Sequence, residues 1–171
     1  NKGTVTQSGG TATGAVTNNL NSTYTINNAA ARITGAVTNK GTFTLTNGTL
    51  TSTVTNTGTF TQTTGSVGVV SNTSTGKYTM NGGSISGTVT NVATFTQSGG
   101  TIAGAINNKA KSNYTINNAN ARITNTVTNA GTFTLTNGTL TSTVTNSGTF
   151  TQTAGSVAGA ITNSGTYKLY G

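Results

Sequence analysis

The chain has 171 residues, of which 31% are apolar, 6% aromatic and 5% charged; threonine, asparagine and glycine dominate the rest, and all eight charges are Lys or Arg. Aspartate, glutamate, histidine, cysteine, proline and tryptophan are all absent. That inventory excludes the usual general acids and bases, thiol chemistry, disulfides and carboxylate or imidazole metal sites, so neither an enzyme nor a cofactor protein is expected. It also leaves too little apolar mass for a spherical core. A biased, weakly hydrophobic chain is often disordered, but disorder favours proline and charge, whereas threonine, valine and isoleucine form strands.

In chain order the sequence resolves into units that each close on an asparagine: Asn18, Asn39, Asn56, Asn72, Asn91, Asn108, Asn129, Asn146 and Asn163, with a partial last unit at 164–171. Seventeen residues is the commonest length. Each unit opens on a bulky position: Val5, Tyr24, Phe43, Phe60, Tyr78, Phe95, Tyr114, Phe133, Phe150 and Tyr167 in turn. A second apolar column runs Ala12, Ile33, Leu50, Val67, Ile85, Ile102, Ile123, Leu140, Val157. The third is β-branched throughout and stands two residues before each asparagine: Val16, Val37, Val54, Val70, Val89, Ile106, Val127, Val144, Ile161. Around these columns residues alternate, as in Thr42-Phe43-Thr44-Leu45-Thr46, the period of a strand with one buried side. Glycine turns, "NG", "GG" or "SG", break the alternation at fixed offsets.

Strands this short cannot bury their apolar side alone, but stacked units can. The fold class predicted is all-β, a β-solenoid in which each unit is one rung and successive rungs lie ~4.8 Å apart, about 45 Å for the whole chain. The absence of proline then has a cause, since proline would remove a ladder donor. Residues 1–18 match 91–108, and 19–72 match 109–163 with one gap, so a 90-residue, five-rung unit is itself repeated. In each cycle one rung, "NLNSTYTINNAAARITG" or "KAKSNYTINNANARITN", carries extra residues before the tyrosine and after the isoleucine. These are expected to bulge outward as contact loops holding Arg32, Lys109, Lys111 and Arg122.

Four sets of residues are candidates for a role. The nine asparagines suit corners, where side-chain amides can bond up and down a ladder. The only glutamines, Gln7, Gln62, Gln97 and Gln152, have inward parity, so each should bond backbone at a corner. Thr42 and Thr44, Thr59 and Thr61, Thr94 and Thr96, Thr132 and Thr134, and Thr149 and Thr151 flank the bulky column and should form two outward files, interrupted at Lys77, Asn113 and Lys168. Such files resemble the ice-binding faces of insect antifreeze proteins, which implies an ice-binding reading beside a purely structural one. The basic residues look scattered over rungs and columns, which predicts solubility and at most loose adhesion to anionic surface polymers, with no specific nucleic-acid site. No apolar run is long enough to span a membrane.

The stretches "GTFTQTTGSV", "GSISGTVTN" and "GSVAGAITN" resemble the strand repeats of large bacterial surface proteins, the repetitive adhesins and autotransporter passengers. The resemblance implies an exported β-helical stalk outside the cell. The chain starts at Asn1 without methionine, as a mature product or an excised segment would, and neither end carries a polar or helical cap. An uncapped array is expected to continue in a longer chain or to stack on copies of itself, and either outcome gives a fibre.

Overall fold

The computed structural model describes residues 1–170. Among them there are 22 strands and no helix, and every strand pair is parallel, joined into one continuous sheet that winds about the axis. This is the expected β-solenoid. The full pattern is plainest in the rung made of Lys77–Met80, Ser84–Ile85 and Val89–Asn91, which lays down three straight segments separated by turns. The cross-section is therefore three-sided. Registers hold the sequence columns in line: Phe43 lies over Tyr24 and under Phe60, Leu50 over Ile33 and under Val67, Val54 over Val37 and under Val70.

Because the core is a line of rungs, each rung has to fill only its own slice. In the third rung Phe43, Leu45, Leu50 and Val54 do this, all 0 to 1% exposed. Burying side chains of this size contributes ~1.5–3 kcal/mol apiece. A modest apolar fraction thus suffices for an elongated core where it would fail for a sphere.

The turn after the first segment carries one residue with positive φ in most rungs, always glycine: Gly10, Gly48, Gly65, Gly83, Gly100, Gly138 and Gly155. At Gly48, with φ 108°, a Cβ would also lie 2.7 Å from the carbonyl oxygen of Ala31 and 2.9 Å from Cγ2 of Ile26 in the rung below. Only glycine meets both demands.

The two longer rungs depart from expectation. Their first insertion is a corner loop at Asn19–Ser22 and Lys109–Ser112, where Asn21 and Lys111 adopt positive φ (61° and 66°). The second is a bulge inside the long strands Thr23–Ile33 and Asn113–Ile123, with register shifts between Ile26 and Arg32 and between Ile116 and Arg122. Arg32 and Arg122 do not ride on these bulges. Each has re-entered the ladder, Arg32 between Thr11 and Thr49, Arg122 between Thr101 and Thr139. The reason is parity: Ala31 and Ile33 are fully buried on either side of Arg32, as Ala121 and Ile123 are around Arg122, so the arginines between them face out.

Candidate functional site

The columns and the outer faces they leave free are the features able to act. Along one corner run the asparagines. Nδ2 of each donates to Oδ1 of the next one up: Asn18 to Asn39 at 2.8 Å, Asn39 to Asn56 at 2.8 Å, Asn56 to Asn72 at 2.9 Å, and so on through Asn91, Asn108 and Asn129 to Asn146 and Asn163. Interior members also donate to the corner of their own rung and to the rung above, as Asn39 does to the carbonyls of Gly41 (3.1 Å) and Thr59 (2.9 Å). Asn18 through Asn146 are buried, and only Asn163 in the ninth rung is exposed. The ladder satisfies backbone acceptors at a bend where no strand can.

Behind it stand the aromatic rings. Tyr24, Phe43, Phe60, Tyr78, Phe95, Tyr114 and Phe133 stack face to face with centroids 4.7 to 5.0 Å apart. Phe150 turns edge-on to Phe133, at 78°, and Tyr167 stacks on Phe150 at 5.1 Å. Isolated aromatic pairs prefer offset or edge-on geometry, so the ladder register imposes this stack.

The glutamines do point inward. Gln62 Nε2 donates to the carbonyls of Gly65 and Ser84, and Gln97 Nε2 to those of Gly100 and Arg122. Sequence reasoning missed their second partner. The hydroxyls of Tyr24, Tyr78, Tyr114 and Tyr167 donate to Oε1 of Gln7, Gln62, Gln97 and Gln152, each one rung below, at 2.8 to 3.2 Å. The signal was present: a rung with glutamine is always followed by a rung whose bulky residue is tyrosine, and every other full rung carries phenylalanine or valine there. Burial pushes the Tyr78 and Tyr114 phenols well above their ordinary pKa, and Tyr78 adds a smaller upward push on Tyr114. Among the described residues no buried side-chain polar atom lacks a partner.

On the outer side of the same segment lie the threonine files. The inner one runs without interruption through nine rungs, Thr6, Thr25, Thr44, Thr61, Thr79, Thr96, Thr115, Thr134 and Thr151, and ends at Lys168. The outer file of Thr23, Thr42, Thr59, Thr94, Thr132 and Thr149 is broken by Lys77 and Asn113.

The basic residues are less scattered than the sequence suggests. The residue after each ladder asparagine donates its N–H to the asparagine carbonyl one rung below, which aligns Lys2, Asn19, Lys40, Thr57, Thr73, Val92 and Lys109 in a single column. Lys111 sits in the adjoining corner loop, and Lys77 on the rim beside it. Five of the six lysines therefore share one edge, and all five are exposed. Two shallow grooves lie along that edge, one bounded by Lys77, Lys111 and Asn113, the other by Leu20, Lys40 and Thr59. The sequence trace of this edge is the dipeptide Asn-Lys, found at 1–2, 39–40 and 108–109.

Among the described residues no cluster of metal-ligating side chains occurs, and no helix is long and apolar enough to cross a membrane. Comparison with protein-family models, with curated proteins and with solved structures gives no match in any of the three.

Proposed function

We propose that the protein is a structural element, a length of extracellular β-solenoid fibre or stalk of the kind found in large bacterial surface adhesins. The observation that carries this reading is the seam between the two 90-residue cycles. Across it Asn72 donates to Asn91 at 2.8 Å and Tyr78 stacks on Phe95 at 4.7 Å and 5°, values that match those within each cycle. A unit can follow a unit with no adaptor, so length is set by copy number alone. Export and exposure outside the cell follow from the likeness of the repeats to those surface proteins. The partner on this reading is more of the same array, whether in the same chain or in another copy.

Two experiments test it. Chains built from one, two and four copies of residues 1–90 should appear in negative-stain micrographs as rods that lengthen by ~24 Å per copy, five rungs at ~4.8 Å; lengths that do not scale with copy number refute the stalk. For association between copies, the 171-residue protein should form longer filaments as concentration rises, and short discrete rods at every concentration refute it.

The unbroken nine-threonine file favours one alternative, an ice-binding face formed by the two files together. Thermal hysteresis and ice shaping by the purified protein, abolished in Thr44→Tyr and Thr134→Tyr, support it; freezing indistinguishable from that of buffer removes it.

A further inference from the structure

We propose that the lysine edge beside the asparagine ladder is a docking line for an extended acidic polysaccharide that carries its charges at wide intervals, of the order of one per disaccharide. The inference does not depend on the stalk reading, and of the threonine files it involves only Lys77 and Asn113, the two positions where the outer file is broken. Lys2, Lys40, Lys77 and Lys109 occupy the first, third, fifth and seventh rungs. Along the axis they fall on every second rung, about 10 Å apart at a rung spacing of ~4.8 Å, with Lys77 set to one side of the line, in the adjoining column of Thr59 and Thr94. Lys111 doubles the charge at the seventh rung. The chain contains no carboxylate side chain to neutralise them.

Spacing selects the ligand class. Duplex DNA presents a phosphate about every 1.7 Å of axis, far denser than this line, so most of its charge would go unmatched. Single-stranded nucleic acids are held by exposed aromatic platforms. Among the described residues the ladder aromatics from Tyr24 to Phe150 are enclosed and Tyr167 is half-buried, while Tyr170, at the far end from this edge's lysines, is the one large aromatic that is exposed. A polysaccharide with one carboxylate or sulfate per two sugar rings places its charges at an interval close to two rungs. Between the lysines the edge offers hydroxyls and amides suited to sugar hydroxyls, from Asn19, Thr57, Thr73 and Asn113. At ~0.1 M salt the Debye length is about 10 Å, so lysines at this spacing act nearly independently and each adds its own modest increment.

The test uses the whole 171-residue protein, hyaluronate as probe with one carboxylate per disaccharide, and two variants of equal net charge. K40Q/K77Q/K109Q removes three of the edge's five charges; R32Q/R122Q/K168Q removes three charges from other positions. All six side chains are exposed, and circular dichroism with thermal melts checks that both variants fold as the parent does. We expect binding to hyaluronate in low salt, its loss in high salt, at least ~10-fold weaker binding for the edge variant and under ~3-fold for the control, since each exposed charge contact is worth only a few-fold. Equal losses in the two variants, salt-insensitive binding, no binding at all, or tighter binding of duplex DNA than of hyaluronate at matched charge concentration each overturn the proposal.

Discussion

The sixteen residues at 41–56 and those at 131–146 are identical in sequence but not in structure. In the first copy Thr42–Asn56 is one strand of 15 residues; in the second, Thr132–Leu140 and Val144–Asn146 are separate. In the first, Phe43 meets Phe60 face to face at 6°; in the second, Phe133 meets Phe150 at 78°. The difference lies in the neighbouring rung. Above the first copy the chain reads Val67-Gly68-Val69, one residue shorter than Val157-Ala158-Gly159-Ala160 above the second, and this brings Val69 into register with Thr53. The rung above also differs in extent: Gln62, beside Phe60, is buried and bonds Gly65 of its own rung and Ser84 of the next, while Gln152, beside Phe150, is partly exposed and bonds only Gly155, since the partial last rung lays just Thr166–Leu169 over it. In a solenoid the conformation of a stretch belongs to the pair of rungs it joins.

The sharpest way to probe this contrast is to empty the ring column in each copy. Phe→Ala in a packed core costs ~3–5 kcal/mol. Phe60→Ala should fall at the upper end and Phe150→Ala at the lower in urea unfolding followed by circular dichroism; the reverse order means that the face-to-face stack adds nothing. The ladder comes next. Asn56→Ala removes one of the acceptors of the Asn39 Nδ2 and leaves the buried Oδ1 of Asn72 without a partner, and should cost ~2–3 kcal/mol, as should Asn146→Ala, whereas Asn163→Ala, at an exposed site, should cost under ~1 kcal/mol.

A smaller effect is expected from the tyrosine hydroxyls. Tyr78→Phe strands the buried Oε1 of Gln62 and should cost ~1–3 kcal/mol, while Tyr167→Phe, opposite the partly exposed Gln152, should cost less. The same burial makes the fold sensitive to alkali. The folded-state phenols of Tyr78 and Tyr114 lie above the unfolded value near 10, so the unfolded chain releases their protons first. Their contribution is complete below that pH and is lost as pH rises through the folded values. Ultraviolet titration should show these two phenolates forming only as the strand signal disappears, and the Tyr78→Phe/Tyr114→Phe double variant should lose less stability on going from pH 9 to pH 11. The smallest change is an alanine inserted between Val67 and Gly68, which lengthens the short rung to match its counterpart. Amide exchange at Thr53 and Val69 should quicken while the remainder of the ladder keeps its protection; unchanged exchange there would show that rung length is not what fuses the strand.

The columns were legible because a period-two strand and a near-constant rung length leave one way to align Phe43, Leu50 and Val54 with their counterparts, and the fold follows from that alignment. Arg32 and Arg122 were misplaced because insertion length says how much chain is extra but not where it leaves the ladder; the buried alanine before each arginine settles that. The tyrosine-to-glutamine bonds and the lysine edge went unseen for a shared reason. Both are relations between rungs, visible only when a residue is compared with the one seventeen or so positions away. Inward or outward parity describes a single rung and cannot reveal them.

The asparagine corner also gives the molecule an arrow. In every asparagine-to-asparagine bond the Nδ2–H points toward the higher-numbered rung, so these bond dipoles add along the axis, and each bond polarises the next. A rung joining from above meets amide hydrogens; one joining from below meets amide oxygens. Two such columns brought together at like ends would oppose donor with donor or acceptor with acceptor. Any further rungs added to this column would therefore keep its bonds only in one sense, as a head-to-tail series, and a two-fold joint would break them.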